Sequence, residues 1–212
     1  YRLSTTPGQE YNGLPIRYPE KFENPDLKWE TTKSVDLGFE ARFFEGRIAT
    51  EFAYFFKKSE DVFINVAISS TSGYGSQWQN IATIENEGLE FSLNTKNLTG
   101  KFQWDTQFNI STLRNQVTDV GGLTTEEIGG GTNDTRILKG YPVGTNRLVR
   151  VSRIDPTDGR PIYLDKQGNE TKIYKFEGGE GFAVPAGKVI PDFTGGFTNI
   201  FRYGGFELSA LF

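Results

Sequence analysis

Three residue types are missing from this 212-residue chain: it has no histidine, no cysteine and no methionine. Without imidazole, triads that use a histidine base and most catalytic zinc sites are excluded. Without thiols there is no disulfide framework and no thiolate nucleophile. The absence of methionine leads us to expect that Tyr1 is not a native start and that the chain is a segment of a longer one. Long apolar runs are missing too. No stretch approaches the roughly 20 apolar residues of a membrane-spanning helix, and no signal-peptide pattern is present. Basic excess is also lacking, since the net charge is -4 and the pI about 5.1, which argues against nucleic acid as a partner.

What is present points to strands. Hydrophobic residues make up only 36%, yet aromatics reach 14%, with 18 Phe, 9 Tyr and 25 Gly. Few aliphatics with many aromatics and glycines describe β-structure with many loops rather than a helical core. The missing apolar runs do not exclude a membrane, because transmembrane strands alternate and keep mean hydropathy low.

The alternation is explicit in Asn24–Arg47. Val35, Leu37, Phe39, Ala41 and Phe43 fall on one face, and Ser34, Asp36, Gly38, Glu40 and Arg42 on the other. The pattern recurs after a Glu45-Gly46 turn, where Ile48, Thr50, Phe52, Tyr54 and Phe56 oppose Arg47, Ala49, Glu51, Ala53 and Lys57, with Phe55 as the exception. The full reading gives strands near 33–44, 47–58, 88–97, 101–114, 194–203 and 205–212. Asn199, set among Phe197 and Phe201, makes the fifth the least regular. Short Gly-containing connections at 45–46, 97–100 and 203–205 alternate with long ones at 59–86 and 115–192.

Two architectures share that pattern. A soluble sandwich would bury the apolar face under a second sheet. A membrane barrel would turn it to lipid and line a wet lumen with the polar face. The rhythm of short and long connections favours the barrel, as do strands of about ten residues, the length that crosses a tilted hydrocarbon core. Aromatics at strand ends (Trp29, Phe43-Phe44, Tyr54-Phe55-Phe56 and Tyr203) are placed as interfacial girdles are.

Several ordered motifs carry a family likeness. They are Asn24-Pro-Asp-Leu-Lys-Trp-Glu-Thr-Thr32, Phe43-Phe-Glu-Gly-Arg47, Tyr54-Phe-Phe-Lys-Lys58, Ser72-Gly-Tyr74 and Asn80 through Glu90. Gly140-Tyr-Pro-Val-Gly144, Ile154-Asp-Pro156, Gly159 through Tyr163, Ile190 through Asn199 and Tyr203 through Leu208 follow in order. Together they resemble the C-terminal barrel region of SusC-like TonB-dependent outer-membrane transporters. The resemblance implies an all-β, antiparallel transmembrane barrel segment, about six strands of a ~22-stranded plugged barrel. It further implies a Gram-negative outer-membrane importer of glycan fragments or peptides, driven by TonB and lidded by a SusD-like surface lipoprotein. The plug and the TonB-contacting segment are expected outside this chain. The runner-up is a secreted β-sandwich carbohydrate-binding module, whose aromatic face would be the binding platform. No motif singles out a carboxylate pair for glycoside hydrolysis, so no catalysis is expected.

Candidate sites are few. Tyr74 and Trp78 could stack on a sugar ring while Gln77 and Gln79 hydrogen-bond it, or the same residues could pack under their own loop or against the lipoprotein lid that the resemblance implies. On the strands, Asp36, Glu40, Arg42, Arg47, Glu51 and Asp105 are expected to line the lumen. No cofactor is required. Calcium is the one metal candidate, at Asp155, Asp158 and Asp165, because acidic residues in Gly-containing loops bind it. Lys166 and Asn169 thin that ligand set, and two plain turns explain the stretch equally well. Gly129-Gly-Gly131 lacks the Gly-Lys-Ser/Thr of a phosphate loop and reads as loop. The Asn-x-Ser/Thr triplets at Asn97, Asn109, Asn133 and Asn169 are incidental in a bacterial outer membrane.

Overall fold

Alternating side chains become an antiparallel, all-β chain in the computed structural model, which describes residues 5–11, 14–19, 23–124, 127–128, 135–176 and 181–212. In chain order the strands are β1 (Thr5–Tyr11), β2 (Leu14–Pro19), β3 (Thr31–Phe43), β4 (Ile48–Ala67), β5 (Ser76–Thr99) and β6 (Phe102–Val120). Then come β7 (Thr135–Arg136), β8 (Thr145–Leu148), β9 (Val151–Ile154), β10 (Pro161–Leu164), β11 (Glu170–Thr171), β12 (Val184–Pro185), β13 (Phe193–Tyr203) and β14 (Phe206–Leu211). The large sheet has six strands in the order β14-β13-β6-β5-β4-β3; smaller sheets pair β1 with β2, β8 with β7 and β12, and β10 with β9 and β11.

The expected loop at 59–86 is corrected: β4 continues to Ala67 and β5 begins at Ser76, leaving a short connection around the 3-10 turn Ser70–Ser72. Asp61, at φ 58, breaks the alternation in β4, and Ser76, Gln77, Gln79 and Asn80 are polar, so the pattern fades although the pairing does not. The long connection after β6 is also shorter than 115–192, because β6 runs to Val120, and it carries its own short strands, β7 to β12. Both Gly129–Gly131 and Asn133 lie outside the described residues.

The chain divides into two compact units. The loop unit comprises Tyr1–Thr31, Glu60–Thr83 and Val117–Val189; the sheet unit comprises Thr32–Ser59, Ile84–Gln116 and Ile190–Phe212. In the loop unit, Ile64, Val66, Ala82, Val117, Val120, Ile128, Leu138, Ile162 and Ala183 are buried and form its core. Gly121 stands at φ 63, where a Cβ would meet Ile81 at 2.9 Å, so that turn after β6 needs glycine.

In the sheet unit the register sorts the faces. Tyr203 pairs with Phe102, Phe201 with Trp104, Phe197 with Phe108 and Phe201 with Leu208, all on the apolar face. Arg202 pairs with Gln103 and Glu207, and Thr198 with Gln107, on the polar face. Aromatic cross-strand neighbours stabilise such a pair of strands: Trp104 stacks on Phe201 at 5.9 Å, and Phe108 meets Phe91 at 6.1 Å. The apolar face is uncovered. Val35, Leu37, Phe39, Phe43, Phe52, Leu89, Phe193, Phe206 and Leu208 are all exposed.

The tight connections differ in chemistry. Between β13 and β14, Gly204 and Gly205 both take positive φ, as a hairpin turn twisted to match its strands requires. Between β3 and β4, Phe44 (φ 53) and Glu45 (φ 55) adopt the same conformation without being glycine, and Gly46 (φ 84) follows. The turn there starts one residue earlier than the sequence suggests.

Candidate functional site

The polar face of the sheet unit is the first candidate surface. Gly38, Glu40, Glu51, Glu90, Ser92, Asn109 and Ser111 line a shallow cleft of about 650 Å³. Charges here are tied down within the sheet. Arg202 bonds Asp105 and Glu207, each at 2.6 Å, and Arg47 donates to the carbonyls of Lys96 and Asn97. Ser92 reaches Glu51 at 3.4 Å.

Phe55, the aromatic exception of β4, has a physical reason. Its ring lies over Gly88 of β5, where a Cβ would come within 2.5 Å of the ring and 2.2 Å of the Thr112 carbonyl. Gly88 therefore leaves room for the ring, and the ring fills the space the glycine leaves.

On the apolar face, Asn199 is 9% exposed and is held by a chain of side chains. Trp104 Nε1 and Thr106 Oγ1 both donate to Asn199 Oδ1 at 2.9 Å. Asn97 donates to Thr106 Oγ1 at 2.7 Å, and Thr95 donates to Asn97 Oδ1 at 2.9 Å. Every member is paired, so the irregular residue costs little in an apolar setting. The sequence reading marked Asn199 as irregular; its partners, on β5 and β6, were not visible there.

In the loop unit, the segment from Glu23 to Glu30 is fastened by side chains. The Asn80 amide accepts from Lys28 N at 2.9 Å and donates to the carbonyls of Lys28 (2.8 Å) and Asp61 (2.6 Å). Asn24 donates to the Trp78 carbonyl, Glu30 accepts from Phe63 N, and Lys28 pairs with Asp61 at 2.9 Å. Of the predicted contact residues, Gln77 donates to the Glu23 carbonyl at 2.9 Å, and the Trp78 ring packs edge-on against Phe63 at 5.8 Å. Both are spent on fastening. Tyr74 is half-buried in the connection before β5, where its backbone N–H bonds the Ser72 hydroxyl. Asn80 and Glu30 were missed as anchors because their partners lie far along the chain. Trp29, beside these anchors, is 91% exposed.

The acidic hairpin gathers around a lysine. Lys172 Nζ lies 2.5 Å from Asp155 and 3.0 Å from Asp158. The remaining carboxylate oxygens are also engaged. Thr157 bonds Asp155, the Arg160 N–H bonds Asp158, and Asn169 bonds Asp165 through both its backbone and its side chain. The Lys172 ammonium, helped by the Thr157 hydroxyl and N–H, holds the Asp155 carboxyl well below the usual range. Asn169 lowers Asp165, and Arg153 with Ser152 lowers Glu170. Among the described residues no group of three or more acidic side chains is arranged to hold a metal ion.

Comparison with known proteins follows the same lines. The family model described as TonB dependent receptor-like, beta-barrel matches residues 2–207. TonB-dependent receptor P26 of Formosa agariphila is 34% identical over 99% of this chain and 22% of its own length. TonB-dependent receptor SusC of Bacteroides thetaiotaomicron is 30% identical over 90% of this chain and 20% of its own length. Among solved structures, a chain of the RagAB peptide transporter superposes with TM-score 0.80 at 23% identity, covering 100% of this chain and 24% of that one, a likeness of fold. The chain thus spans less than a quarter of the length of these relatives.

Proposed function

Because the chain belongs to the TonB-dependent receptor-like β-barrel family, we propose that it forms wall and loops of an importer that moves glycan fragments or peptides into the periplasm by TonB-dependent active transport. The family is one of SusC-like outer-membrane barrels, receptors and transporters rather than enzymes. The chain therefore lies in the outer membrane as strands of a β-barrel, and the soluble sandwich reading is set aside. The single observation that carries the transport reading is the two-faced sheet, with exposed Val35, Leu37, Phe39 and Phe43 opposite the polar cleft of Glu40, Glu51 and Glu90. An apolar face meets lipid, and a polar face lines a lumen.

In this reading substrate is gripped by the external loops and by a plug contributed from outside this chain, and TonB acts through that plug. A SusD-like lipoprotein closes the outer mouth. Tyr74 is the first candidate for ligand contact, whereas Gln77 and Trp78 act by keeping the Glu23–Glu30 segment in place. In the 155–170 hairpin the Lys172 ammonium sits between Asp155 and Asp158 and supplies the positive charge there.

The test is deletion of the complete encoding gene, followed by fractionation of the tagged protein and uptake of labelled oligosaccharides and peptides with and without a functional TonB. Outer-membrane fractionation with loss of uptake of one substrate class, equally lost without TonB, is the expected result. Uptake that persists without TonB overturns the energy coupling, and unchanged uptake of every substrate overturns the importer reading.

A further inference from the structure

The loop unit holds a pocket of its own, of about 410 Å³. Val120, Ile128, Leu138 and Arg147 are buried and form its floor. Half-buried Leu123 and exposed Lys139 and Tyr141 stand at its rim. Local bonds build these walls. The Leu123 N–H donates to the Val120 carbonyl around Gly121, the glycine that its positive φ requires. Both the N–H and the hydroxyl of Thr124 bond the Glu127 carboxylate at 2.8 Å, and the Ile128 N–H returns to the Thr124 carbonyl. The Ala67 N–H donates to the Glu127 carbonyl, which pins Ile128 beside Val66 of β4. Across the pocket, the Val117 N–H holds the Tyr141 carbonyl and the Gly140 N–H holds that of Val117. On β8, alternation turns Thr145 and Arg147 inward. A site tied down in this way is formed before anything enters it, which lowers the ordering cost of binding.

The lining selects by chemistry. Apart from Arg147 the floor is aliphatic, so a sugar ring lowered onto it would leave hydroxyls unpaired, whereas an apolar side chain leaves nothing unpaired. The volume is at the low end of the roughly 300–1,000 Å³ of small-ligand sites, room for one large residue rather than a long chain. Charge adds a direction. Lys139 and Arg147 are both cationic, and among the described residues that line the pocket there is no carboxylate. The Lys139 side chain is 63% exposed and pairs with Asp119 at 3.6 Å, a surface pair of the kind that exchanges readily. An incoming carboxylate is attracted there, and a lysine or arginine side chain is repelled. We propose that this pocket is a subsite for the C-terminal residue of a peptide, with its apolar side chain among Val120, Leu123 and Leu138 and its carboxylate beside Lys139. The proposal rests on the importer reading and narrows its substrate class to peptides.

The experiment mixes the full-length protein, in lipid nanodiscs, with two digests of casein. Chymotrypsin leaves peptides ending in Phe, Tyr or Leu, trypsin leaves peptides ending in Lys or Arg, and mass spectrometry counts what is retained. Wild type should favour the apolar-ended peptides roughly tenfold. Neither excess maltodextrin nor excess octanoate, which shares the carboxylate and apolar tail without the peptide, should displace them. Lys139→Glu, at an exposed position, should turn the preference toward the Lys- and Arg-ended peptides, and Leu123→Asp should abolish retention of the apolar-ended ones. Lys101→Glu, the same charge change beside the turn between β5 and β6, should behave as wild type. Equal retention of the two digests, a preference untouched by Lys139→Glu, an equal loss in Lys101→Glu or displacement by maltodextrin overturns the site. Displacement by octanoate overturns its assignment to peptides. If Leu123→Asp does not assemble, Lys139→Glu decides. Uptake that fails while the preference holds counts against the importer reading alone, and uptake that proceeds without the preference counts against this pocket alone.

Discussion

In the loop unit Val117 is 0% exposed and packs in a core that includes Ile64, Val66, Ala82 and Leu138. In the sheet unit the large apolar side chains are turned outward: Phe39 is 61% exposed and Phe206 82%. The two units solve the same problem with different solvents. One removes apolar surface from water by packing protein on protein, at about 25 cal/mol per Å². The other leaves that surface to lipid and keeps its polar groups on the opposite face, so its stability comes from the backbone ladder and cross-strand pairs rather than from a core.

The comparison is broken most directly at its centre. Phe39→Arg places a charge in mid-strand on the lipid side and should cost about 2–4 kcal/mol. Glu40→Gln, one residue on and facing the lumen, should cost close to nothing. Reversible denaturant unfolding of the full-length barrel in vesicles measures both. Similar costs for the two would mean that the faces have been assigned wrongly.

Gly88→Ala comes next. Its Cβ would press on the Thr112 carbonyl at 2.2 Å and on the Phe55 ring at 2.5 Å, a crowding of roughly 1–3 kcal/mol. Combining it with Phe55→Ala should recover only part of the loss, because the backbone carbonyl remains. Complete rescue, seen in the same unfolding assay, would show that the ring alone dictates the glycine.

Asn199→Ala sharpens the comparison from the other side, since Asn199 is the polar intruder on the lipid-facing side. Its removal leaves Trp104 Nε1 and the Thr106 hydroxyl without their acceptor and should cost about 1 kcal/mol. The Trp104 fluorescence maximum should shift as the indole N–H loses its partner; an unchanged spectrum with unchanged stability would make the network incidental.

What could be read from residues alone divides along the same line. Period-two alternation in 34–43 and 47–57 is local, and so are the Gly-containing turns, so the sheet and its faces were visible in the sequence. Where a side chain depends on a distant neighbour, the reading stopped. Phe55 was an exception until Gly88 lay beneath it, and Asn199 was an irregularity until Trp104 and Thr106 lay beside it. The lengths of β4 and β5 were hidden because Asp61 interrupts one and polar residues open the other. For the acidic hairpin, the calcium pattern is written in consecutive residues, whereas Lys172 reaches Asp155 from across the hairpin and leaves no local signature.

That lysine gives the smallest effect and the one confined to the loop unit. Asp155, Asp165 and Glu170 all have carboxyls lowered by their partners, so each favours the folded hairpin only while ionised. The stabilisation is present above the ordinary carboxylate pKa values of about 4 and is lost as pH falls through the lowered ones. Lys172, raised by Asp155 and Asp158, loses its share only as pH climbs past its ordinary value of 10.5. Hydrogen exchange over 150–172 should therefore be flat relative to the six-stranded sheet from pH 5 to 9, and should gain protection-losing openings only at more acidic pH. Lys172→Met should reproduce the acid behaviour at neutral pH, with exchange in β13 and β14 unchanged. If the acid response appears equally in β13 and β14, the two units do not open independently, and the contrast between a protein-packed region and a lipid-packed one fails at its last step.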